Sequence, residues 1–265
     1  MTERCPGGAA FEAEWKAWRE RRAEQLRHPT GWLALTGLHW LAAGGNRVEG
    51  LPGVFSLVGG LVSLAAAPEA GYLLDGAPVT ARALASDAAG RADRLRLGSR
   101  TVQVIERGGS HALRVWDAES PALARFAGVD AFPPDPRWRI EARWEAYPAP
   151  RAREVAAAAG PPRLALAAGK ARFEGDGRAL SLEAVLEEGA LLFVFKDATA
   201  PLETYGAGRF LGAELPRGGA VVLDFNRAYN PPCAFTPHAT CPLPPPWNVL
   251  PIRVEAGEKR YQERG

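Results

Sequence analysis

The stretch RWRIEARWEAY, residues 137–147, decides the fold. Trp138, Ile140, Ala142 and Trp144 fall on alternate positions, with charged residues between them. A period of two puts one apolar row on a single face of a β-strand. This strand therefore expects a core on one side and water on the other.

Similar texture extends in both directions. Upstream, short runs of β-branched and apolar residues read as strands at 53–58, 61–66, 71–75, 94–98, 101–107 and 111–117. Downstream, further strands are expected at 163–168, 171–174, 179–185, 190–197, 219–225 and 250–255. Gly, Asp and Asn turns separate them at intervals of roughly 8 to 12 residues, the rhythm of a sandwich or barrel. The stretch YPAPRAREVAAAAGPPR, residues 147–163, reads as a linker or an irregular crossing strand. Before the β-rich region, Phe11, Trp15, Trp18 and Leu26 keep helical spacing across 9–28, and Pro29 closes that helix. GWLALTGLHWLAAGG, residues 31–45, is a short apolar element that packs on the body. The expectation is a mostly-β protein with β-sandwich or barrel-like modules. It has an N-terminal helical segment (1–45), a first β module (46–147) and a C-terminal β module (148–265).

Composition bounds the partners. The chain has 265 residues, 47% of them apolar, enough for a sizeable core. A net charge of +2 leaves no electrostatic footprint for nucleic acid. No segment reaches the roughly 18 to 20 apolar residues of a membrane helix. MTERCPGGAAFEAEW lacks the basic-then-apolar order of a signal peptide. Three cysteines fit a reducing compartment better than a disulfide framework. The expectation is a cytoplasmic protein with no nucleic-acid or membrane partner.

Chemistry concentrates in DFNRAYNPPCAFTPHATCPLPPPWN, residues 224–248. Asp224, Asn226 and Arg227 emerge where the strand 219–225 ends, a usual place for convergent polar groups. Pro231 and Pro232 stiffen the loop that follows Tyr229 and Asn230. A second polar run, KDATAPLETYGAGRF, carries Asp197, Thr199, Glu203, Thr204, Tyr205 and Arg209. Pairing of neighbouring strands would set the two runs side by side. Together they suggest a pocket lined by Tyr205, Arg209, Asp224, Asn226, Arg227, Tyr229 and Asn230. In it Arg209 or Arg227 would hold a small polar or anionic molecule. Asp224 would orient an arginine or act as an acid–base group. The competing reading is a rigid plug, in which Asp224 pairs with Arg227 and the asparagines cap turns.

Cys233, His238 and Cys241 follow a C-x4-H-x2-C spacing. Four fates stand open for them. Zinc could take all three and would want a fourth ligand, for which Asp224 offers an oxygen. The cysteines could form a disulfide. Cys233 could be a nucleophile with His238 as its base and Asp224 or Asn226 behind it. Both cysteines could simply be buried as small hydrophobes. The chain carries no phosphate loop, dinucleotide fingerprint, HExxH or GxSxG, so no nucleotide cofactor is indicated.

The run 224–261, with GWLALTGLHWL at 31–41, RVWDAESPALARFAG at 114–128 and KDATAPLETYGAGRFL at 196–211, resembles the DUF1684 family, a family of unknown function. The resemblance implies no activity, and the family often has an aromatic where this chain has His238. In rhythm, residues 71–107 are similar to the forkhead-associated β-sandwich, without its phosphothreonine-reading residues. That likeness implies architecture, and beyond it a protein-interaction module as an alternative role.

Overall fold

The structure is a computed structural model, and it describes residues 8–187 and 189–263. The first residues of the stretch examined for a signal peptide, with Cys5, lie outside the described residues. The protein is mostly β, with helical structure at its N-terminus. No described helix is long and apolar enough to cross a membrane.

Helix α1 spans Gly8–Arg27. It buries Phe11 and Leu26 as its apolar stripe predicts, and Pro29 stands just beyond its end. The apolar element after it is a short 3-10 turn, Trp32–Ala34, leading into strand β1, Leu35–Trp40.

Two antiparallel sheets then pack face to face. One has four strands: β2 (Gly44–Val48), β3 (Leu51–Val58), β4 (Leu61–Ala65) and β7 (Ala81–Leu84). The other joins β1 to β10 (Ser110–Asp117), β9 (Arg100–Arg107), β8 (Arg94–Leu97), β5 (Leu73–Leu74) and β6 (Ala77–Pro78). Phe55, Tyr72, Leu95, Val102 and Leu113 fill the space between them.

The second assembly is one antiparallel sheet of six strands, ordered β15-β14-β13-β12-β11-β16. These strands are β11 (Arg139–Val155), β12 (Arg163–Gly175), β13 (Arg178–Glu187), β14 (Ala190–Phe195), β15 (Arg209–Ala213) and β16 (Ala220–Asp224). The edge strands β15 and β16 come back toward each other, so the sheet curls around its core. Trp138, Ile140, Ala142 and Trp144 pack on that core, as their alternation requires.

Two stretches need a physical account. After residue 147 the second of the two expected forms, an irregular crossing strand, is found, because β11 runs on to Val155. Its pairing with β12 breaks between Ala146 and Arg151, and Pro148 and Pro150 sit in that break, where no ladder donor is needed. Residues 250–255 alternate buried and exposed yet form no strand. Leu250 and Ile252 bond to the main chain of Lys196 (2.8 Å) and Ala198 (2.9 Å), and from Val254 on side chains take over. Asp197 accepts from the Val254 N–H (2.8 Å), and Arg209 donates to the Val254 carbonyl (3.0 Å). Leu250, Ile252, Val254 and Ala256 thereby enter the core of the curled sheet beside Phe173, Phe193, Phe195 and Phe225.

Candidate functional site

Asp224 ends β16, and the chain turns at once into a 3-10 turn, Phe225–Arg227. The Asp224 carboxylate faces Arg227 (3.2 Å) and Arg139 (3.4 Å) and accepts from the Asn226 amide (3.1 Å). Asn226, 1% exposed, clasps the main chain of Asp135. Its Oδ1 accepts from the Asp135 N–H (2.8 Å), and its Nδ2 donates to the Asp135 carbonyl (2.9 Å). The Trp15 indole on α1 donates to the Asn226 carbonyl (3.1 Å). Arg227 also reaches Glu14 on α1 (3.4 Å).

Asn230 is fully buried. Its backbone N–H (2.7 Å) and side-chain amide (3.1 Å) both donate to Glu258, and the amide also donates to the Lys259 carbonyl (2.7 Å). Arg22 of α1 pairs with the other Glu258 oxygen at 3.2 Å and donates to the Asn230 carbonyl (2.9 Å). Arg209 is 1% exposed and pairs with Asp197 (3.2 Å). Tyr205 donates to the Cys233 carbonyl (2.9 Å), and burial raises its pKa. Of the seven residues expected to line one pocket, six thus bond to neighbouring protein groups, and Tyr229 lines a cavity elsewhere.

That cavity, about 530 Å³, lies where α1, the sandwich and the curled sheet meet. Arg22 comes from α1, Arg107 from β9, Arg114 from β10 and Arg163 from the start of β12. Trp18, Trp32, Phe210 and Tyr229 add aromatic walls, and Glu187 and Cys241 complete the polar lining. Three arginines face carboxylates: Arg22 with Glu258 (3.2 Å), Arg107 with Asp87 (2.8 Å) and Arg163 with Glu187 (3.9 Å). Arg114 is different. It is 8% exposed and makes no hydrogen bond or ion pair with the described residues, and its Nε is buried without a partner. Burial first, then the nearby Arg107, push its pKa down to about 10, so it stays charged at neutral pH.

Aromatic faces hold two of these guanidinium groups. Arg114 lies over the rings of Trp32 (5.5 Å) and Trp116 (5.7 Å). Arg22 lies over Tyr229 (4.7 Å) and Phe235 (5.6 Å). Stacking of this kind fixes the plane of a guanidinium without using its N–H edge, which Arg22 gives to Glu258 and Asn230 and Arg114 gives to no described residue.

Cys233 and Cys241 are both free thiols. The Cys233 N–H donates to the Cys241 sulfur (3.2 Å), and the two thiols share a hydrogen bond. That bond draws Cys233 down to about 7 and holds Cys241 above the ordinary thiol range. The His238 imidazole bonds to neither cysteine. Burial, and then the neighbouring His39, lower its pKa. Among the described residues no three His, Cys, Asp or Glu side chains gather as a metal ligand set.

Sequence reading does not single out Arg22, Arg107, Arg114 or Arg163. They lie on four elements far apart in the chain, among many surface arginines. The one available signal is Arg114 itself, a charge inside the apolar run HALRVW.

A search of curated proteins finds no match. Among solved structures, the chain is similar to the uncharacterized protein from gene locus rrnAC0354 of Haloarcula marismortui, determined by solution NMR. The two are 32% identical over 51% of this chain and 77% of that one, with a TM-score of 0.44. Residues 124–259, from just after the sandwich through Lys259, match DUF1684, described as a protein of unknown function. Just over half of the sequence lies in that match, and the chain belongs to the DUF1684 family.

Proposed function

We propose that this protein binds a small oxyanion-bearing molecule, a carboxylate or a phosphate ester, in the cavity between α1 and the two β assemblies. Arg114 carries the reading. A buried guanidinium with no ion pair of its own, its nearest carboxylate Asp87 being paired with Arg107, is costly, and a bound anion would offset that cost. The other three cavity arginines already face carboxylates, so the site has close to one unmatched positive charge. The stacked fork of Arg114 suits the paired oxygens of a carboxylate or phosphate. The anion-holding role first given to Arg209 and Arg227 passes in this reading to Arg114. Tyr229 keeps its role as a wall.

The forkhead-associated likeness offers a second role, a protein-interaction module built on the sandwich. The direction of the arginines favours the small molecule. Arg107 and Arg114 line a cavity against the curled sheet, where a peptide strand has less access than at loop tips.

Isothermal titration tests the proposal, using inorganic phosphate and a panel of small carboxylates and phosphate monoesters. Wild type should bind at least one of them at unit stoichiometry, and Arg114→Met should abolish the signal. Failure of the whole panel, or binding that survives Arg114→Met, would overturn it.

A further inference from the structure

The cavity has one nucleophilic group in its wall. Cys241 is buried from bulk solvent but lines the cavity, and the charges of Arg114 and Arg163 both act on it. A second thiol stands directly behind it. Cys233 is outside the cavity lining, yet its N–H meets the Cys241 sulfur at 3.2 Å. The loop that joins the two cysteines is tightly held. Pro231 and Pro232 precede the first, Pro242 follows the second, and the Tyr205 hydroxyl (2.9 Å) and Ala158 N–H (2.8 Å) fix their carbonyls. Val194, Phe210 and Ala239 pack around the pair.

We propose that Cys241 and Cys233 form a redox-active dithiol that acts on an anionic low-molecular-weight disulfide held in the arginine cavity. This rests on the anion-binding reading above and names the substrate class of the same site. The arginines would hold the carboxylates of the disulfide and set its S–S bond against Cys241. The pair's negative charge rests first on Cys233, and Cys241 hands its proton to that sulfur as it attacks, so that charge develops on the Cys241 sulfur. There the Cys233 N–H and two guanidinium groups stabilise it. Cys241 attacks one sulfur, the substrate S–S bond breaks, and the first thiolate leaves. Cys233 then gives its proton to solvent and attacks the Cys241 sulfur of the mixed disulfide. A Cys233–Cys241 disulfide forms and the second thiolate leaves. Two electrons pass from the protein to the substrate, and a dithiol reductant must return them before another turnover.

The test compares two aromatic disulfide probes in a Cys5→Ser background: dianionic dithiobis-nitrobenzoate and uncharged dithiodipyridine. Each rate is divided by that of the same probe with a small neutral thiol. The normalised rate should favour the dianionic probe by about tenfold or more, the scale of electrostatic focusing in a charged cleft. Arg114→Met should slow both probes, the dianionic one by about tenfold more, so that the preference is lost. By mass spectrometry the wild-type pair should end as an internal disulfide, lighter by two hydrogens. Cys233→Ser should keep one probe half bound at Cys241. Equal normalised rates, a preference that survives Arg114→Met, or no retained adduct in Cys233→Ser would overturn the dithiol and leave both cysteines as packing residues. Anion titration separates the two failures. If phosphate or a carboxylate still binds through Arg114, only the dithiol falls.

Discussion

Asp197 and Arg209 form an ion pair at 3.2 Å with both side chains 1% exposed, and between them they hold the last crossing of the chain. Arg209 donates to the carbonyls of Val254 (3.0 Å), Ala256 and Glu258 (3.3 Å). Asp197 accepts from the Val254 N–H and from the Thr199 hydroxyl, each at 2.8 Å. The pair does for residues 254–258 what a neighbouring strand does elsewhere. Removing one partner leaves a buried charge alone, which costs about 3–5 kcal/mol. Asp197→Ala should therefore lower the unfolding free energy from urea denaturation by that amount, with a matching fall in the midpoint, and Asp197→Asn should lower it less. A midpoint unchanged by Asp197→Ala would show that the crossing is held by its apolar side chains alone.

Arg114 should behave in the opposite sense. Without ligand it is a buried cation with no direct ion pair, and methionine fills similar volume at no electrostatic cost. Arg114→Met should raise the melting temperature of the ligand-free protein, by the equivalent of about 1–3 kcal/mol. The same variant should lose anion binding. A gain in stability with a loss of binding marks a residue kept for function, and differential scanning calorimetry on both proteins reads it directly.

Glu183 gives the fold an acid limit. Burial pulls its pKa up, but hydrogen bonds from Arg153 and Tyr147, with the Trp247 indole, outweigh that and hold it below the ordinary value of 4.5. A carboxylate with a depressed folded pKa contributes stability that is fully present above its unfolded pKa. That contribution is lost as the pH falls through the folded pKa. The unfolding free energy should fall below about pH 4.5 in wild type. In Glu183→Gln it should start lower and vary less across that window. Parallel slopes in chemical denaturation at several acidic pH values would refute the assignment.

Gly257 tolerates no side chain. It has φ +78°, and a Cβ there would stand 2.5 Å from the Ala228 carbonyl oxygen and 2.7 Å from that of Phe225. The left-handed backbone alone costs alanine about 1–2 kcal/mol. Gly257→Ala should lose more than that and should also disturb Glu258, its neighbour, where Arg22 and Asn230 converge. Proteolytic sensitivity of α1, which Arg22 ties to Glu258, is the local readout.

The sequence carries the strands of the curled sheet and the helix plainly, because alternation and helical spacing are local. The Trp138–Trp144 row and the Phe11–Leu26 stripe need only neighbouring residues to be read. The strand status of 250–255 is not local. Its alternation is real, but its bonds come from the main chain of Lys196 and Ala198 and from the Asp197 and Arg209 side chains, some fifty residues upstream. The motif 224–230 reads correctly as a dense polar knot. Which groups face a cavity and which face backbone depends on Glu258, Asp135 and α1, and no spacing rule relates those to the motif. The arginine cavity is illegible for the same reason, since Arg22, Arg107, Arg114 and Arg163 meet only once the whole molecule is assembled.

The order in which a ribosome delivers these parts runs against the order in which the interior needs them. Strands β11 to β16 emerge first, and the residues that fill the space they enclose, Leu250 to Ala256, emerge afterwards. A nascent chain is thus left for a time with a hollow, sticky sheet. The six strands are committed to a shape whose contents have yet to arrive, and the curled sheet is filled only once Leu250 to Ala256 have followed them.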